Sequence, residues 1–156
     1  MISRISILRW VAAAGFCIVA PFATAASPEL MAALSVMGYG YKVKVTVNGA
    51  DVGVEGGKNE NRRLFNKGHE MSAKASASVR ARNFILVPGS NEVAIEYSKN
   101  DPKGNDELEI TLEAAGYPQS LLRLRNKTKT SDKLVVSVDI AEKPPANFKP
   151  VILESK

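Results

Sequence analysis

Apolar and polar residues alternate along most of this chain with a period of two. Val43, Val45 and Val47 are separated by Lys44 and Thr46, the pattern of a strand with one buried face. Asn48-Gly49 follows, a pair that accepts the positive φ of a two-residue type I′ turn. A turn there predicts a hairpin of Tyr41 to Val47 against Ala50 to Glu55. Val47 then faces Ala50, Thr46 faces Asp51, Val45 faces Val52, Val43 faces Val54 and Lys42 faces Glu55. Valine meets valine on one side, and a slip of one residue would exchange the two faces.

The same period recurs downstream. Met71, Ala73, Ala75, Ala77, Val79 and Ala81 alternate with Ser72, Lys74, Ser76, Ser78, Arg80 and Arg82, which predicts a strand although Ala and Ser are weak strand formers. Phe84 to Val87 and Glu92 to Tyr97 flank Pro88-Gly89 and predict a second hairpin through a type II turn. Leu108, Ile110 and Leu112 mark another strand, Leu122 and Leu124 the next, and Leu134, Val136, Val138 and Ile140 a third. Val151-Ile152-Leu153 supplies a last short strand after Pro144-Pro145. Residues 56–67 (GGKNENRRLFNK) read as a polar loop anchored by Leu64 and Phe65.

One segment departs from the period. Ser27-Pro28-Glu29 has the form of a helix start, with Ser as N-cap, Pro in the first turn and an acid beside the positive helix end. Leu30, Ala33, Leu34 and Met37 share a helical face and Gly38 suits a stop, so a short helix is predicted over Pro28 to Met37, the alternative being an extended arm that continues into the first strand. The fold class that follows is all-β: an antiparallel β-sandwich of seven to eight strands after a short N-terminal helix, with a closed barrel as the alternative. The expected organisation is a signal peptide over 1–25, a helix and lead-in over 26–40, the sandwich over 41–143 and a Pro-containing tail over 144–156.

The stretch VTVNGADVG and the later FILVPGSNEVAIEY together resemble exported β-sandwich modules, over residues 43 to 97. They are similar to immunoglobulin-like domains and, less closely, to galactose-binding-like jelly rolls. The resemblance implies two facing sheets and carries no functional residue with it. The cysteine pair and core tryptophan of immunoglobulin domains are missing, because Trp10 and Cys17 both lie in the first 25 residues.

Those first residues have the form of a secretory leader. Arg4 and Arg9 precede the uncharged run Val11 to Ala20, Pro21 breaks it, and Ala23-Thr24-Ala25 offers small residues for cleavage. Cleavage after Ala25 would leave 19 basic residues of the 21, against 16 acids, and a formal charge of +3. The product would have no cysteine, which excludes disulfides, thiolate metal sites and cysteine nucleophiles. A periplasmic or extracellular location is expected, with no membrane span after cleavage and no nucleic-acid partner.

Chemistry-bearing residues are sparse. His69 is the single histidine, and no Gly-x-Ser-x-Gly elbow accompanies it, so a solvated loop histidine is expected in preference to a triad member. Asp101, Asn105, Asp106 and Glu107 gather oxygen ligands around a glycine turn and are the weak candidates for calcium. Arg123, Arg125, Lys127, Lys129 and Lys133 form a basic segment. With Arg62-Arg63, Arg80 and Arg82 it would make a basic binding face, unless Glu107, Glu109 and Glu113 offset it. Tyr39, Tyr117 and Phe148 are the aromatics available to stack on a sugar. Asn126-Lys127-Thr128 is a glycosylation sequon by pattern. No catalytic residue and no cofactor is expected. The function expected is a non-enzymatic exported module that binds a protein at the cell envelope. The alternatives are a carbohydrate- or polyanion-binding module and, less favoured, a small hydrolase using His69.

Overall fold

A computed structural model describes residues 29–101 and 107–155. The predicted leader lies outside them. The described residues are all-β, with ten strands in two sheets. Strands β1 (Met31–Met37), β4 (Asn59–Asn66), β5 (Phe84–Leu86), β7 (Leu108–Ala114), β8 (Leu122–Asn126) and β10 (Val151–Ser155) form a six-stranded sheet in the order β10-β8-β7-β1-β4-β5. Strands β2 (Tyr41–Val47), β3 (Ala50–Asp51), β6 (Gly89–Lys99) and β9 (Ser131–Ile140) form a four-stranded sheet in the order β3-β2-β6-β9. One core joins them: Leu34, Val36, Leu64, Ile110 and Leu124 from the first sheet pack with Val45, Val93, Ile95 and Ile140 from the second.

The first hairpin has the expected register at its turn, with Val47 opposite Ala50 and Thr46 opposite Asp51. Asn48 and Gly49 take φ of 50° and 78°. Farther from the turn the partner strand gains one residue. The Val43 N–H bonds Glu55 O, and Lys42 pairs with Gly56, where an unbroken ladder would pair Val43 with Val54 and Lys42 with Glu55. Gly53, at φ 71°, absorbs the extra residue as a bulge.

Four expectations are corrected. Residues 31–37 are not helical; they form β1, the strand between β4 and β7. Leu30, Ala32, Leu34 and Val36 are all buried, so a period of two describes the segment better than the helical stripe did. The alternating stretch 71–82 is not a strand. It forms a short 3-10 helix (Glu70–Lys74) and α1 (Ala77–Asn83), neither with a buried residue. The Ser76 hydroxyl accepts from Val79 N–H and caps α1.

The polar run 59–66 is a strand and not a loop. Its inward residues include Glu60 and Arg62, whose Oε2 and Nη2 lie 3.0 Å apart. Glu60 Oε1 also accepts from Glu55 and Gly56 N–H, at 2.9 Å each. Finally, β5 and β6 are not a hairpin: the chain crosses from one sheet to the other at Pro88-Gly89. Asn91 holds the crossing, donating to Val87 O and Gly89 O and accepting from Val87 N–H. The strand total therefore exceeds the predicted seven to eight. The ladder is also not wholly antiparallel, since β4/β5 and β8/β10 run parallel. No helix of the described residues is long and apolar enough to cross a membrane.

Candidate functional site

The basic residues do not form one face. Arg123 and Arg125 point outward from β8 and meet the acids of β7 in register: Arg123 Nη2 lies 2.9 Å from Glu109 Oε1, and Arg125 Nε lies 3.5 Å from Glu109 Oε2 and 3.6 Å from Glu107 Oε1. Lys127 reaches Glu107 at 3.5 Å, and Lys129 holds Asp132 at 2.6 Å. Arg80 and Arg82 stand on α1, beside β4 and β5, with β7 and β1 between that corner and β8. Arg80 donates to Ser72 O and Arg82 packs over Gly53. Arg62 and Arg63 project to opposite faces of β4, and Lys133 projects from the other sheet. Paired charges of this kind form a solvated strand face of small net field.

His69 is a structural cap. Its Nδ1 accepts from Met71 N–H at 3.2 Å, its Nε2 lies 3.6 Å from Glu29 Oε1, and its ring packs at 5.5 Å from Phe65 and 6.2 Å from Phe84. With Nδ1 engaged by the backbone, the imidazole has no free base nitrogen facing a serine. Of the calcium candidates, Asn105 and Asp106 lie outside the described residues. Glu107 is committed to Arg125 and Lys127. Asp101 precedes the undescribed segment. Among the described residues no three His, Asp or Glu side chains gather as a metal site.

The sequon is closed: Asn126 is 1 % exposed, and its Nδ2 donates to Tyr41 Oη and Lys129 O. Of the aromatics, Tyr39 is exposed, whereas Tyr117 and Phe148 pack edge-to-face at 4.8 Å.

The open feature of the surface is the outer edge of β9. Its inner neighbour is β6, and among the described residues no strand lies on its other side. Tyr117, from the loop after β7, shows which way the strand's amides point. The Tyr117 hydroxyl donates to Asp139 O at 3.3 Å and accepts from Ala141 N–H at 2.9 Å, so these groups face away from β6. Antiparallel ladders alternate, so the N–H and C=O of Lys133, Val135 and Ser137 face away as well. Asp132 Oδ1 covers the Lys133 N–H at 2.8 Å. Among the described residues nothing hydrogen-bonds the main chain of Val135 or Ser137.

The side chains match this opening. Val135 is 59 % exposed on a face otherwise occupied by Lys133, Ser137 and Asp139. Leu134 and Val136 point inward but stay half-buried, because the edge lacks a neighbour to cover them. A groove of about 140 Å³ runs beneath, between Leu134 and Asp132 on β9 and Leu153 and Ser155 on β10. The sequence carried one signal for this edge, a valine at an outward position of an alternating strand. It carried none for Tyr117 as an edge plug. The chain matches no family model, no curated protein and no solved structure.

Proposed function

We propose that the chain is an exported, non-enzymatic interaction module that binds a protein partner at the cell envelope through the free edge of β9. The observation that carries this reading is the main chain of Val135 and Ser137, left without partners beside an exposed valine. Protein strands add to such edges, with main-chain hydrogen bonds giving affinity and alternate side chains giving selectivity. Export rests on the Arg4/Arg9, Val11–Ala20 and Ala23-Thr24-Ala25 pattern. An immunoglobulin-like type of sandwich belongs to the same proposal, supported by the two facing sheets and the strand-turn pattern over 43–97. A polyanion-binding module has less support, because the cations of β8 are already paired with acids.

The test is capture from envelope extract by the immobilised wild-type chain and by Val135→Pro, which removes one outward N–H at an edge position that tolerates proline. A stoichiometric protein held by wild type and lost with Val135→Pro is the expected result. Equal recovery by both, or no stoichiometric protein, overturns the reading.

A further inference from the structure

We infer that the partner strand at this edge is a second copy of the same chain, paired antiparallel through β9 about a two-fold axis at Val135. This inference rests on the edge reading above and names its occupant.

The open window is bounded at both ends. Asp132 covers the Lys133 N–H at one end and the Tyr117 hydroxyl occupies Asp139 O at the other. Between them lie Lys133-Leu134-Val135-Val136-Ser137, with Val135 at the centre. This window has the same character read from either end: polar, apolar, apolar, apolar, polar. Antiparallel pairing about Val135 sets Leu134 opposite the other copy's Val136 and Lys133 opposite its Ser137, so each residue meets one of its own kind or a neutral one. That is the condition for a contact in which both copies use the same surface.

The main chain agrees. In this register Val135 sits opposite its own copy in a hydrogen-bonded pair, and Ser137 N–H meets Lys133 C=O on each side of the axis. Beside the Val135 pair, these bonds employ groups with no partner among the described residues. The inward Leu134 and Val136, half-buried now, cover each other across the join.

Charge agrees as well. Ser137 is paired with Glu92 on β6, and Lys133 with Glu96. A Lys133 set opposite Ser137 of the other copy lies over a small side chain and reaches toward that copy's Glu92. The outer row across the join reads Lys44, Glu96, Lys133, then Ser137 and Glu92 of the other copy. No like charges are adjacent in it. Two five-residue windows make a small contact, at the transient end of the interface scale, so assembly depends on concentration.

Sedimentation of the chain, expressed from Met1 with Cys17→Ser, gives the mass. Cross-linking of cysteine variants in that background gives the register, because an introduced cysteine is then the only thiol. A hydrogen-bonded antiparallel pair has Cα atoms about 5.5 Å apart, within disulfide reach. Val135→Cys should therefore link to itself under oxidation. Lys133→Cys and Ser137→Cys, each roughly 13 Å from its own copy by strand rise, should not link alone but should link when the two are mixed. Val135→Lys should hold the protein monomeric with its fold intact by circular dichroism, and Val135→Pro should do the same. A wild-type chain that stays monomeric at high concentration, or a dimer that cross-links through Lys133→Cys alone, overturns the inference. A monomer that still captures a different protein in a Val135-dependent way sinks self-pairing and leaves the edge as the binding surface. A monomer that captures nothing sinks both.

Discussion

The Tyr41 hydroxyl and the Asn126 carboxamide nitrogen lie 3.1 Å apart inside the core, one from each sheet. Asn126 does more than bridge. It donates to Lys129 O at 2.8 Å, accepts from Lys129 N–H at 3.0 Å, and accepts from the Ser155 hydroxyl of β10. A single carboxamide thus ties β2, the turn after β8, and the C-terminal strand. Asn126→Ala should cost about 2–3 kcal/mol, because several buried groups lose partners at once. Urea denaturation measures it, and a loss under about 0.5 kcal/mol would show that water replaces the side chain.

Asn48 has a comparable role on the opposite side of the molecule. Beyond its φ of 50°, its Nδ2 donates to Ile85 O and Asn91 Oδ1 and its Oδ1 accepts from Glu92 N–H. Asn48→Gly keeps the turn conformation but loses the ties, and should cost roughly 1–3 kcal/mol. A double-mutant cycle with Asn91→Ala should show coupling on the order of 1 kcal/mol, and additivity would separate the two residues.

Gly56 and Gly49 both have positive φ, yet they should respond differently to alanine. A Cβ at Gly56 would sit 2.3 Å from Tyr41 O, whereas a Cβ at Gly49 meets nothing within 4 Å. Gly56→Ala should destabilise by roughly 3 kcal/mol or more. Gly49→Ala should cost only the left-handed conformation, about 1–2 kcal/mol. Equal losses would mean that the Gly56 loop moves aside.

The Glu60 carboxyl gives the fold an acid-side dependence. Burial opposes its charge, but the N–H groups of Glu55 and Gly56 with Arg62 and Lys58 outweigh that and hold it below its usual range. A depressed folded pKa stabilises at neutral pH, and the contribution is lost as pH falls through the carboxylate range and then through the lowered value. Glu60→Gln should be less stable near neutrality, and its urea midpoint should fall less steeply with acid. Parallel pH profiles would contradict this.

Tyr97 adds an alkaline-side dependence. Burial, then Asp132 and Tyr41, push its hydroxyl from 10.0 up to about 12. A raised folded pKa gives stability that is complete below pH 10 and lost between pH 10 and 12. Tyr97→Phe should flatten that decline, and ultraviolet titration of tyrosinate should lose a component that ionises above the ordinary tyrosine range.

Strands in which aliphatic inward residues alternate with polar outward ones were legible in the sequence, whereas β1, whose outward Met31, Ala33 and Met37 are apolar too, read as a helix. Leu108, Ile110 and Leu112 in β7 and Val43, Val45 and Val47 in β2 are buried as their alternation required. The run 71–82 misled because both of its candidate faces are exposed, so its alternation carried no information about burial. Strand β4 was hidden by the opposite condition. Glu60 and Arg62 face inward there, and their mutual ion pair with the bonds to Glu55 N–H, Gly56 N–H and Gly53 O makes that tolerable. Of the open edge of β9, Val135 is an apolar residue on a polar face and is visible in the sequence. Tyr117 is not, because its plug depends on a contact between distant loops. The proposed basic face failed because register sets β8 against the acids of β7.

The place of β1 has a consequence for how the sheet comes into being. It is the earliest described strand to leave the ribosome, yet its two neighbours arrive later, and Ala32 must wait for Ala114. Until then one edge of β1 lacks its partner strand, and the sheet cannot close in the order of synthesis. Without β1, β10-β8-β7 and β4-β5 would be two fragments with no ladder between them. Anything that holds the chain at Leu30 therefore acts on the middle of the sheet and not on its edge.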